Sequence, residues 1–95
     1  MYVRVTAFKV EPQRIAELTQ KVEEVRPRVR ALPGIADLYV AWRGDGQGVI
    51  VAADESKEAA DRAVARIQAL WGSLAGLLSG PPRTDVYDNA ERLTV

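Results

Sequence analysis

The opening stretch MYVRVTAFKV alternates over residues 2–10, with Val3, Val5 and Ala7 on one side and Tyr2, Arg4, Thr6, Phe8 and Val10 on the other. Successive residues of a strand face opposite sides of a sheet. Both sides of this strand carry apolar side chains, so both need cover. The aliphatic set of Val3, Val5 and Ala7 is assigned to the core beneath the helices. The set holding Tyr2, Arg4, Thr6 and Phe8 is assigned to the opposite face, where it would be too apolar to lie against water alone.

The next segment places Ile15, Leu18, Val22, Val25, Val29 and Leu32 at alternating steps of three and four residues, one stripe of an amphipathic helix. Pro12 suits a first helical turn. Pro27 has no N–H to donate and clashes with the turn before it, so a kink or a 3₁₀ finish is expected after about Val25. The sequence LPG then stops the helix, with Gly34 free to take a positive φ.

A second strand follows over residues 35–43, a GDGQG hairpin turn, and a third strand over 49–53. Residues 54–80 form a second helix, striped by Ala60, Ala63, Val64, Ile67, Leu70, Trp71, Leu74, Leu77 and Leu78. Asp54 or Ser56 can cap it, Glu55 and Glu58 favour its positive end, and Gly72 and Gly76 weaken its last third. A fourth strand spans residues 83–89.

The order β-α-β-β-α-β predicts a single α+β domain over residues 1–95 with the ferredoxin-like fold. Right-handed crossovers put both helices on one face of a four-stranded antiparallel sheet ordered 4-1-3-2. Leu38, Val40, Ile50 and Val86 join Val3, Val5 and Ala7 on the helix side. The bare face carries Tyr2, Arg4, Thr6, Phe8, Asp37, Tyr39, Arg43, Val49, Val51, Asp85 and Tyr87. A symmetric second copy covers such a face, so a homodimer closed into an α/β barrel is expected, with Tyr2, Arg4, Thr6, Phe8, Asp37, Tyr39, Arg43, Asp85 and Tyr87 as its interface. A charge in that interface needs a partner. Arg4 is therefore paired with Asp85 on the neighbouring strand, and Asp37 and Arg43 with the fourth strand of the other copy.

Composition narrows the chemistry. There is no cysteine and no histidine, which removes thiol chemistry and the commonest general base and metal ligand. The 13 basic and 13 acidic side chains balance, against a nucleic-acid or anionic-membrane surface. No run is long and apolar enough to span a membrane, no targeting segment is visible at the N-terminus, and a cytoplasmic location is expected. GDGQG precedes a strand and not a helix, so it is a turn and not a phosphate loop. Asp54, Glu55 and Glu58 are capping chemistry and no metal site. Arg26, Arg28 and Arg30 form a solvated helix face. Trp71, Leu74, Trp42 and Val40 are the candidate substrate-binding residues. Trp71 can stack on a flat ligand, though it also continues the helix stripe as core.

Across nearly the whole chain, VEP, LPGIADLYV, GVIVAADESKEAADRA, LWGSLAGLL and DVYD resemble the antibiotic biosynthesis monooxygenase-like proteins of the dimeric α/β barrel superfamily. The resemblance implies face-to-face pairing of two sheets and a ligand between sheet and helices. It also implies cofactor-independent oxygenation of a small aromatic substrate. Haem-degrading members use an asparagine near the first strand, a tryptophan and a ligating histidine. With no histidine, and Asn89 as its one asparagine, this chain departs from that pattern, and no cofactor is expected. The alternative is a non-catalytic dimeric module that binds a small molecule or assembles further, where Leu93 and Val95 of the tail could reach a neighbour.

Overall fold

The computed structural model describes residues 1–94. Strand β1 (Tyr2–Lys9) leads through a 3₁₀ turn at Pro12–Arg14 into helix α1 (Ile15–Arg30). Strands β2 (Ile35–Trp42) and β3 (Gln47–Asp54) form a hairpin, helix α2 (Lys57–Leu74) ends in a 3₁₀ turn at Ala75–Leu77, and β4 (Arg83–Tyr87) closes the order. The sheet is antiparallel, ordered β2-β3-β1-β4, which is the expected 4-1-3-2 arrangement read from its other edge.

Local chemistry accounts for the element ends. Pro12 opens the 3₁₀ turn, where its missing N–H leaves no partner wanting. Ser56 caps α2, its Oγ accepting from the Ala59 N–H at 3.1 Å. The hairpin is closed by the Gly46 N–H donating to the Arg43 carbonyl at 2.9 Å, and the Asp45 carboxylate accepts from the Gln47 N–H. Gly34 and Gly46 have φ of 78° and 90°. Helix α1 continues as α-helix through Pro27 to Arg30, so the expected 3₁₀ finish after Val25 does not occur. The ring removes one backbone hydrogen bond, and the apolar stripe on both sides of it keeps the turns in register. The expected weakening near Gly72 and Gly76 corresponds to the change from α2 to the 3₁₀ turn.

The cross-strand register corrects the faces of β1. Arg4 lies opposite Ala52 and Val86, and Thr6 opposite Ile50 and Thr84, so they share a face with Leu38 and Val40. That face meets the helices, where Thr6 and Phe8 are buried. Tyr2, Arg4, Thr6 and Phe8 therefore sit on the helix side, and Val3, Val5 and Ala7 on the outer side with Val49 and Val51. The physical reason is volume. The bulky Phe8 and Val10 fill the space under α1 and α2 better than two valines and an alanine, and the charge of Arg4 is matched there. The outer-side placement of Asp37, Tyr39, Asp85 and Tyr87, and the helix-side placement of Leu38, Val40, Ile50 and Val86, agree with this register.

Two packing regimes sit under α2. Its first half is an alanine surface, with Ala59, Ala60 and Ala63 buried. Small side chains let helix and sheet approach closely. Its second half carries Ile67, Trp71 and Leu74, which line a cavity over the sheet. A core cluster of Phe8, Val10, Leu18, Leu74 and Leu77 closes this end. Arg14 Nη1 donates to the Gly76 carbonyl at 2.7 Å, tying the start of α1 to the turn after α2.

Candidate functional site

Between the helices and the sheet lies a cavity of about 770 Å³. That is within the range of about 300–1,000 Å³ typical of small-molecule sites. Its floor is the helix-side face of the sheet, with Thr6, Phe8, Val40 and Ile50, and its walls come from both helices.

At one end the cavity is aromatic. Phe8 and Trp71 meet edge to face, with ring centroids 6.4 Å apart and planes at 69°. Such a pair adds about 0.5–1.5 kcal/mol beyond the area it buries. Gly48, opposite both Phe8 and Trp42 in the sheet, makes room for the ring: a Cβ there would lie 2.3 Å from Phe8 Cζ. The candidate ligand-binding residues Trp71, Trp42, Leu74 and Val40 all line this cavity, although 31 residues of sequence separate Val40 from Trp71.

The other end is polar. Arg4 Nη2 donates to Asp54 Oδ2 at 3.2 Å. The Asp54 side chain is fully buried, whereas that of Arg4 is 16 % exposed and lines the cavity. Arg4 Nε and Asp54 Oδ1 are both buried and lack a hydrogen-bond partner. Two residues along the same face, Thr6 and Thr84 share a hydroxyl–hydroxyl hydrogen bond of 3.0 Å. The expected Arg4–Asp85 pair is not made: Asp85 is on the outer face, within 4.0 Å of Arg83. Asp54 was legible in the sequence only as a cap. Ser56 takes that role, and the buried strand end turns Asp54 into the counter-charge of Arg4.

At the rim, Arg26 donates to both Glu23 oxygens, at 2.7 and 3.1 Å. The Arg26 guanidinium holds the Glu23 carboxyl below its ordinary 4.5. Asp37 accepts a hydrogen bond from Arg92 of the C-terminal tail, so its partner lies in the same chain. Arg43 bonds Gln47 in the hairpin. Leu93 is exposed, and Val95 lies outside the described residues. Among the described residues no group of three His, Cys, Asp or Glu side chains could hold a metal ion. No helix among them is long and apolar enough to cross a membrane.

No protein-family model matches the chain, and no curated protein matches it in sequence. Solved structures do. A protein from Caulobacter crescentus, provisionally named an antibiotic biosynthesis monooxygenase, superposes with a TM-score of 0.80 at 18% identity, over 95% of this chain and 90% of that one. One from Deinococcus radiodurans with the same provisional name gives 0.79 at 15%, over 100% and 98%. A protein of unknown function from Nitrosomonas europaea gives 0.79 at 19%, over 99% and 94%. The chain thus has the α+β, ferredoxin-like fold of the antibiotic biosynthesis monooxygenase-like proteins. At this identity the likeness is one of fold, and fold alone does not carry an activity.

Proposed function

We propose that this chain binds a small, flat aromatic molecule in the helix–sheet cavity and oxygenates it without a resident cofactor. The observation that carries the reading is the cavity of about 770 Å³, aromatic at the Phe8–Trp71 end and edged by Arg4, Thr6 and Thr84. An apolar pocket with a few converging polar groups suits an aromatic ring bearing one or two oxygens. The names of the similar structures, taken with the sequence resemblance, support the same reaction class. The electrons come from the substrate. An activated ring methylene loses a proton to water, and the carbanion reacts with dioxygen. Its two C–H bonds are replaced by a carbonyl, and the second oxygen atom leaves as water. The protein's part is to hold the ring in place, with its carbonyl oxygen accepting hydrogen bonds at the polar end of the cavity.

Anthrone is a suitable probe. In an oxygen electrode, the protein is expected to speed oxygen uptake above the protein-free rate, with one anthraquinone formed per dioxygen consumed and no effect of EDTA. An unchanged rate defeats the catalytic reading. The second reading, a binding module, is favoured by one feature: the cavity's polar groups already engage each other, Arg4 with Asp54 and Thr6 with Thr84. Saturable anthrone binding without acceleration selects it.

The working unit in this proposal is a homodimer built through the outer sheet face. Val3, Val5, Ala7, Val49 and Val51 form its apolar centre, and Tyr39 and Tyr87 are 64 % and 54 % exposed in the single chain. Arg43, Asp85 and Arg83 stand toward the edges, giving the charged rim a two-fold contact needs.

A further inference from the structure

Resting on the aromatic-cavity reading above, we infer that the Arg4–Asp54 pair selects a ligand carrying a neutral oxygen acceptor, a ketone or quinone carbonyl on the ring, over one carrying an anionic group. A guanidinium offers five N–H donors in a planar fork. A carboxylate on one edge occupies two at most. Asp54, fully buried behind Arg4, takes one at 3.2 Å, while Arg4 itself lines the cavity. Donors are therefore left over for an acceptor in the cavity.

Charge decides which acceptor. Within the cavity lining, Arg4 is balanced by Asp54, Arg26 by Glu23 and Asp37 by Arg92. Among the described residues, Arg30 alone of the charged lining has no ion-pair partner, and it is exposed at the rim. The inner end thus has hydrogen-bond donors and no net charge. A carboxylate brought there sheds its water and gains no unmatched cation, with Asp54 repelling it from behind. A carbonyl carries a far smaller desolvation cost and accepts the same N–H groups. Asp54 acts through Arg4, as the residue that positions the guanidinium and cancels its charge.

The test is equilibrium dialysis of the full chain at pH 7 with a matched pair of probes, 2-acetylnaphthalene and 2-naphthoate. The wild-type protein is expected to bind the ketone at least about tenfold more tightly. Asp54→Asn keeps the shape but frees the positive charge, and is expected to reverse the preference. Arg4→Met combined with Asp54→Asn removes both charges and is expected to lower ketone affinity by about tenfold, with the circular dichroism unchanged. Equal affinities in the wild type, or tighter binding of naphthoate, overturn the inference. So does an Asp54→Asn protein that keeps the wild-type preference. Should the variants fail to fold, the wild-type ratio decides alone. If neither probe binds the wild type, the aromatic-cavity reading fails and the inference falls with it.

Discussion

Gly48 is a small residue with a large effect on the site. It faces Phe8 on one neighbouring strand and Trp42 on the other, and its missing side chain is the space the Phe8 ring occupies. In Gly48→Ala the new Cβ would also lie 2.8 Å from the Ala41 carbonyl oxygen, so backbone as well as ring must yield. The expected outcome is a loss of roughly 1–3 kcal/mol, as for other overpacked interiors, read from urea unfolding. Trp71 fluorescence should change with it, because its edge-to-face partner moves. The sequence contained this glycine plainly, but only as part of a turn. Nothing in GDGQG indicates which ring from another strand lies across it. The same holds for Asp54, whose partner is 50 residues earlier in the chain.

At the scale of elements, periodicity was a good guide and individual residues a poorer one. The three-four stripe of α1 and the alternation of β2 predict their elements to within a residue or two. Pro27 was the exception. Its local cost argues for a 3₁₀ finish, yet α1 runs on as α-helix to Arg30. A proline inside a helix costs about 3 kcal/mol. It also restricts the unfolded chain, which returns up to about 1 kcal/mol. Pro27→Ala is therefore expected to stabilise the protein by about 2 kcal/mol, seen as a higher thermal midpoint. No change in the midpoint would mean that the turn at Pro27 makes no regular helical hydrogen bonds even without the ring. Strand β1 shows the opposite failure. Its alternation is sound, but alternation does not say which parity faces the helices when both are apolar.

The whole molecule exposes 6205 Å². A compact monomer of its mass, 10.4 kDa, is expected to expose about 5,400 Å². An open cavity and an uncovered sheet face both contribute to the excess. If the outer face is the dimer contact, Val51→Asp, at the centre of that face beside Val5 and Tyr39, is expected to give a monomer in native mass spectrometry and to abolish the concentration dependence of the thermal midpoint. A wild-type protein that is already monomeric at micromolar concentration would defeat the dimer proposal. From the sequence alone came the elements, their order and the sheet topology, because periodicity and turn chemistry are local and right-handed connection leaves few alternatives. So did the expectation that both faces of the sheet want cover. The tertiary structure alone decided which face of β1 turns inward, that Arg4 answers Asp54 and not Asp85, and that α2 buries its alanines and lines a cavity at Trp71. Those choices depend on how side chains from distant parts of the chain share volume and cancel charge, and no single stretch of sequence carries that sum.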